Sequence, residues 1–474
     1  LVQISILGGK KEIGGNKILV EHKGTRILLD FGMSFGQNSR YFSEFLQPRR
    51  CSALTDFFEM GLLPDIKGVY RTDYLEHMGR IVEEKDLDAV FLTHAHADHA
   101  QYIHFLRFDI PIFCTAETKI ILQCLEETSR NTLSDYITAC ESFKFYRNSK
   151  KELSRVDRKK KEYIHERDFQ VMEQEKKVKV GSLEVEMVPV DHSLPGACGF
   201  IIYTDEGNLV YTGDIRFHGS NQELSRKFVQ KAKSVNPKLL ICEGTRIGSS
   251  EVDSEEGVRG EITKLISESS GLVFVEHPIR DIDRMKSIFE SARENHRDFV
   301  VPLKAAYLIE ALGNLCPFCI EDVKILVPRK SWGLIYKEGY EQSLINNDYE
   351  SWERDYIYRS NSITCKELKQ NPLNYVVSMS LWEINHLIDI QPQNAIWIKS
   401  SCEPFCEEME LDEERKQNWL DRFEIVKYSA HASGHASGQE IIEMINEIKP
   451  ENVIPVHTEK PDLFKQAEAK ILIY

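Results

Sequence analysis

The segment Thr93-His94-Ala95-His96-Ala97-Asp98-His99 constrains this chain more than any other feature. The apolar, β-forming residues 89–92 precede it, so the segment is predicted to leave the end of a strand. His94 and His96 alternate along that strand end, which projects both imidazoles to one side. Asp98 and His99 then open the helix that follows. A bend of this kind points two pairs of ligand-type residues at neighbouring centres, as a two-metal site requires. A histidine-rich turn without metal is the bland alternative, and the order and position of the residues argue against it.

Other ligand-type residues also fall at predicted strand ends. Asp191-His192 follows residues 183–190, and Asp214 follows residues 209–211 within Thr212-Gly213-Asp214. Asp30 closes residues 27–29 ahead of Phe31-Gly32. Each alone reads as a turn or cap residue. With the histidine cluster, all sit where strand ends would converge on one edge. Further strands are predicted at 4–7, 17–21, 26–29, 199–203 and 239–242, with glycine turns among the first of them and helices at 117–127 and 221–233. That mixture defines an α/β class in stacked layers.

After Glu243 the character changes. Helices at 257–269, 281–294 and 304–312 alternate with strands at 272–276 and 299–302, the pattern of a parallel-sheet domain. The glycine- and histidine-rich style returns near residue 425. The expected organisation is a discontinuous domain, 1–243 with 426–474, carrying an insertion over 244–425.

His94-x-His96-x-Asp98-His99, then His192 and Asp214, preceded by Asp30, resembles the metallo-β-lactamase fold in the order and spacing of its motifs. Glu243-Gly244-Thr245, His435 and His457 resemble motifs A, B and C of the β-CASP nucleases. Gly9-x-x-Glu12-Ile13-Gly14-Gly15-Asn16, His192-Ser193-Leu194-Pro195-Gly196 and His431-Ala432-Ser433-Gly434-His435-Ala436 are similar to the RNase J branch. Only 17 residues follow His457, which resembles its short, archaeal-type form.

The resemblance implies an αβ/βα metallo-β-lactamase sandwich with an inserted β-CASP α/β domain. It implies that His94, His96 and His192 hold one metal, that Asp98, His99 and His457 hold the other, and that Asp214 bridges them. Asp30 would support the site. His435 would be the acid for the leaving 3′ oxygen, with Glu243 orienting it, while Asp98 counts among the catalytic residues. His431, Ser433, Gly434 and His435 would hold a substrate phosphate. The implied activity is metal-dependent hydrolysis of single-stranded RNA, as a 5′–3′ exonuclease, an endonuclease or both. The alternatives are a DNA-directed β-CASP nuclease and, further away, a small-molecule ester or thioester hydrolase. The nitrogen and oxygen ligand set suits two Zn2+, with Mn2+ as the other candidate. A homodimer is compatible with this reading.

Composition narrows the setting. With 60 Lys+Arg against 75 Asp+Glu, the net charge of −15 argues against loose binding to nucleic acid or an anionic membrane. A narrow, metal-centred site escapes that objection, because its cations reverse the local sign. Residues 141–180 differ, with 13 Lys+Arg against 8 Asp+Glu around Lys159-Lys160-Lys161, and read as a solvated helix or loop or as a basic rim. No run approaches the ~18 apolar residues of a spanning helix, and the N-terminus reads as a strand. The 11 cysteines form no disulfide framework, which makes the cytoplasm the expected compartment. Cys316, Cys319, Cys402 and Cys406 are a weak candidate zinc site. The aromatic-rich residues 336–358 suit base stacking or, more simply, an irregular core patch.

Overall fold

Short alternating apolar runs separated by glycine turns build the first half of the chain into two facing sheets. This is seen in a computed structural model. It describes every residue except 1, 44, 50–51, 130–132, 142, 157–160, 251–253, 405–406 and 474. Two compact units emerge, one of residues 1–217, 221–251 and 434–474, the other of residues 218–220 and 252–433.

In the first unit, Gln3–Gly8, Lys17–His22 and Thr25–Phe31 form an antiparallel meander. Thr25–Phe31 then pairs parallel with Ala89–Phe91, and Ile112–Cys114 and Phe169–Val171 extend the same sheet. The second sheet begins with antiparallel Lys177–Val180, Leu183–Pro189, Cys198–Tyr203 and Leu209–Tyr211. It continues in parallel through Leu239–Glu243, Asn452–Val456 and Lys470–Ile471.

Inward-facing residues alternate along both sheets, as a period of two requires. Ile18, Val20, Ile27, Leu29 and Phe91 of one sheet meet Val185, Phe200, Ile202, Tyr211 and Ile241 of the other in a shared core. The opposite face of the second sheet packs on helices Gln222–Ser234 and Gly438–Ile448 through Phe228, Val229, Ile441 and Ile445. Beyond the first sheet, Tyr70 packs on Phe31, and Phe57 packs on Tyr102 and Phe105. This is the αβ/βα sandwich. Because its parallel strands end on one edge, the residues just past their C-terminal ends are brought together.

Three of those ends turn in the left-handed region. Asp30 has φ 57°, Gly213 φ 57° and His457 φ 53°. Glycine accepts this readily; among other residues it is uncommon, with Asp and His among those that tolerate it best. Two other glycines are forced by contact. A Cβ on Gly32 would lie 1.7 Å from the Asp98 carbonyl oxygen, and one on Gly14 would lie 2.7 Å from Asp98 Oδ2.

The second unit is an all-parallel sheet in the order Ser362–Ile363, Lys324–Leu326, Asp298–Pro302, Tyr375–Ser378, Val273–Glu276, Ile396–Lys399 and Val426–Ser429. Its helices include Glu255–Glu268, Ile282–Glu294 and Leu303–Leu312, and Trp397, Phe274 and Val377 lie in its core.

Of the helix or loop expected for the basic excursion, the described residues follow the loop. It holds short strands at Phe145–Arg147, Leu153–Arg155 and Ile164–Glu166. Arg167 is buried and donates to the carbonyls of His104, Leu106 and Arg107, so part of the positive charge is engaged internally. Lys159 and Lys160 lie outside the described residues. In the aromatic segment Tyr349 and Tyr356 are buried and Trp352 packs on Tyr307, whereas Tyr340 and Tyr358 are exposed. Among the described residues no helix is long and apolar enough to cross a membrane.

Candidate metal centre

The metal-ligand candidates nominated from the sequence meet at the strand-end edge of the first unit. His94 Nε2 lies 2.9 Å from His96 Nδ1, and His192 Nε2 lies 3.2 Å from the same atom. Ligand nitrogens at ~2.0–2.1 Å from a tetrahedral zinc would stand roughly 3.3 Å apart. Asp214 Oδ2 is 3.5 Å from His94 Nε2 and 3.8 Å from His192 Nε2. On its other side, Asp98 Oδ2 is 3.0 Å from His457 Nε2 and 3.9 Å from His99 Nε2. Asp214 again borders this second group, 3.2 Å from His99 Nε2 and 3.8 Å from His457 Nε2.

The far nitrogens of these rings show which atoms face inward. His99 Nδ1 lies 2.8 Å from Asp30 Oδ2, and His192 Nδ1 lies 2.6 Å from the Gly434 carbonyl oxygen. His94 Nδ1 lies 3.0 Å from Thr93 Oγ1, whose hydroxyl can donate to Asp30 Oδ2 at 2.9 Å. His457 Nδ1 lies 2.8 Å from Thr245 Oγ1, which donates to Glu243 Oε2 at 2.8 Å. In each case a proton on Nδ1 satisfies the outer partner and leaves a lone pair on Nε2, as a metal-ligating histidine requires.

The interior of the cluster is unfinished as a hydrogen-bond network. His99 Nε2 and Asp214 Oδ1 are buried without a hydrogen-bond partner, although His99 and Asp214 are themselves close. Burying such atoms unsatisfied is costly. A cation coordinated by these lone pairs removes that cost, so the residues present fit divalent metal ions. His94, His96, His192 and Asp214 form one ligand-capable group and Asp98, His99 and His457 another.

Electrostatics divide the histidines. Burial pushes His94 and His192 well below the usual imidazole range, which keeps them neutral. His99 is equally buried, yet Asp214, Asp30 and Asp98 outweigh desolvation and raise it. For Asp214, burial opposes ionisation, but His457, His99 and His435 hold it well below the ordinary carboxylate range.

His435 stands beside this cluster. Its Nδ1 is 3.0 Å from Glu243 Oε1 and 3.9 Å from Asp214 Oδ2. Burial would lower His435, but Glu243 and then Asp214 prevail and it is pushed up to about 9. Glu243 is itself fixed by the Ile215 and Thr245 backbone N–H groups and by the Thr245 hydroxyl. Sequence reasoning missed the roles of Thr93, Thr245 and Tyr211. The Tyr211 hydroxyl donates to Asp30 Oδ2 at 2.8 Å and accepts from Asn16 Nδ2 at 2.9 Å. Only the Glu-Gly-Thr motif offered a signal, because a buried tyrosine on a strand reads as ordinary core.

His431 and Ser433 belong to the second unit, and the chain enters the first unit again at Gly434, one residue before His435. Among the described residues, Cys316, Cys319 and Cys402 join no ligand-capable group, and Cys406 lies outside the description. Cys365, His386 and Asp389 do form such a group in the second unit, but Arg329 already pairs with Asp389 at 2.9 Å.

Fold and site together have the features of a metal-dependent hydrolase of the metallo-β-lactamase superfamily, and two stretches of the chain match domain models of that kind. Residues 64–252 match the model of the beta-lactamase superfamily domain, and residues 422–469 match that of the Zn-dependent metallo-hydrolase RNA specificity domain. Over 98% of its length the chain is 21% identical to ribonuclease J 2 of Streptococcus pyogenes, covering 71% of that protein. It is 24% identical over 96% to ribonuclease J of Mycobacterium tuberculosis, covering 68%, and 22% identical over 99% to that of Pyrococcus abyssi, covering 92%. A crystal structure of an Enterococcus faecalis protein of unknown function shares the fold, with a TM-score of 0.73, 24% identity and coverage of 100% of this chain and 98% of that one.

Proposed function

We propose that this protein is a ribonuclease that hydrolyses phosphodiester bonds of single-stranded RNA with two divalent cations, zinc before manganese. His94, His96 and His192 would hold one, Asp98, His99 and His457 the other, with Asp214 shared. The observation that carries this reading is the approach of two ligand groups to one buried carboxylate that has an oxygen without a hydrogen-bond partner. The RNA specificity domain match over residues 422–469 and the ribonuclease J relatives favour RNA over DNA. A hydrolase of small esters would have no evident use for the Glu243–His435 pair.

Bound cations would supply two things: a lowered pKa for an attacking water and positive charge against the phosphate. The protein does the rest. Asp30, fixed by Thr93 and Tyr211, holds the His99 ring and directs its Nε2 inward. Glu243 faces His435 Nδ1 at 3.0 Å and favours the charged ring, which carries a proton on Nε2. His435 can therefore protonate the departing 3′ oxygen. His431, Ser433 and Gly434 would hold a substrate phosphate.

The test uses RNA carrying a 5′-monophosphate or a 5′-triphosphate, and DNA of the same sequence, with the wild type and His435→Ala. Metal-dependent cleavage of RNA by the wild type alone is expected. Mononucleotides from the monophosphorylated strand would establish directional exonuclease action, and internal fragments would establish endonuclease action. RNA left intact by metal-loaded wild type refutes the proposal.

A further inference from the structure

The second unit buries a full cation far from solvent. Arg284, on the first turn of helix Ile282–Glu294, is 0% exposed, and Glu255, the first residue of helix Glu255–Glu268, is 2% exposed. They form a fork-to-fork pair, Nε to Oε2 at 3.0 Å and Nη2 to Oε1 at 2.7 Å. That geometry uses both carboxylate oxygens and only part of the guanidinium.

The remaining donors turn to the segment ahead of His435. Nη1 reaches the Ser400 carbonyl at 2.9 Å, Ser400 Oγ at 2.7 Å and His431 Nδ1 at 3.2 Å, while Nη2 reaches the Ala432 carbonyl at 3.0 Å. Ser400 Oγ passes its own proton to the Ala430 carbonyl at 2.5 Å. His218 Nε2 lies 2.8 Å from the Ser433 carbonyl oxygen, and the His218 carbonyl accepts from the Glu255 backbone N–H at 3.1 Å. The carbonyls of Ala430, Ala432 and Ser433 are thus all bound on the protein side of the loop.

An arginine has donors and no acceptor, so the His431 nitrogen that faces it must offer a lone pair. The His431 proton then belongs on Nε2. We propose that the Arg284–Glu255 pair is the positioning element of the phosphate-holding loop: it fixes residues 430–433 and sets His431 as an Nε2–H donor to a substrate phosphate. This rests on the reading above that His431, Ser433 and Gly434 hold a phosphate. Arg284 is a positioning residue that acts through His431 and the loop backbone.

Two measurements on the metal-loaded full-length protein test it. The first is a binding cycle with a 5′-phosphorylated 2′-O-methyl oligonucleotide, which resists cleavage, using Arg284→Lys, His431→Ala and the double variant. Lysine keeps the charge beside Glu255 but cannot reach Ser400, His431 and Ala432 together. Arg284→Lys is expected to weaken binding roughly ten-fold, the scale of a lost charge-assisted hydrogen bond, at unchanged metal content. The double variant is expected to bind within about two-fold of His431→Ala, because the two changes remove one coupled unit. On cleavable RNA the loss should appear in KM, with kcat within about three-fold. Binding by Arg284→Lys equal to that of the wild type, or losses that multiply in the double variant, would overturn the proposal.

The second needs no variant to fold at Arg284. In wild-type protein labelled with 15N-histidine, with His431 assigned from His431→Ala, the Nε2–H tautomer is expected, and the Nδ1–H tautomer would refute the role of Arg284. If the wild type neither binds nor cleaves RNA, the ribonuclease reading falls, while the tautomer still decides whether Arg284 orients His431.

Discussion

Two buried polar clusters, one in each unit, differ in a single respect that separates function from architecture. Around Arg284 in the second unit, each donor group of the guanidinium meets an acceptor, and Glu255 balances the charge at 2.7 Å. Around Asp214 in the first unit, imidazole nitrogens crowd together at 2.9–3.2 Å while Asp214 Oδ1 and His99 Nε2 lack a hydrogen-bond partner. One network is complete as protein. The other is complete only with cations added. A buried polar network left partly satisfied is destabilising unless something fills it, so incompleteness marks the place where a ligand belongs.

That contrast can be broken in several ways. The largest effect should come from Asp214→Ala, which removes the carboxylate common to both ligand groups. RNA hydrolysis is expected to fall to background and elemental analysis to show loss of both metals. His435→Ala should lower kcat by about 10²–10⁴-fold, the range of a lost general acid, with bound metal unchanged. In the second unit, Arg284→Met strands the Glu255 carboxylate and should cost about 3–5 kcal/mol, whereas replacing both partners with apolar residues should cost much less. Chemical denaturation of the two variants would show the difference. Thr245→Val removes the acceptor for His457 Nδ1 and should weaken metal affinity by about 10–100-fold, measured by competition with a chelator.

The smallest effect is one of protonation. In metal-free protein, His94 and His192 should stay neutral well below the usual imidazole range, while His435 should lose its proton only near 9. The sign is fixed by environment. Burial favours the neutral ring: at His94 and His192 it outweighs Asp214, whereas at His435 Glu243 and Asp214 together outweigh it. Histidine NMR titration would reveal a contrary order.

The sequence already exposed much of this. The strand before Thr93, the spacing of His94, His96, Asp98 and His99, and the placement of Asp214 after an apolar run are local patterns, and local patterns survive in one dimension. The partners that choose tautomers are not local. Tyr211 reaches Asp30 across 181 positions, and Thr245 reaches His457 across 212. Their residue types carry no signal of that meeting. The left-handed backbone at Asp30 and His457 was hidden for a related reason, since aspartate and histidine do not advertise positive φ as glycine does. The short strands of the basic excursion were hidden behind its charge pattern, which left helix and loop both open, and the burial of Arg167 depends on carbonyls about sixty positions away.

Zinc titration of chelator-stripped protein, with bound metal and RNA hydrolysis followed together, tests the central claim most directly. Two equivalents per chain should bind, hydrolysis should appear with them, and His457→Ala should keep one equivalent while Asp214→Ala keeps neither. Full hydrolysis of RNA by the stripped protein, or two equivalents retained by Asp214→Ala, would contradict the account.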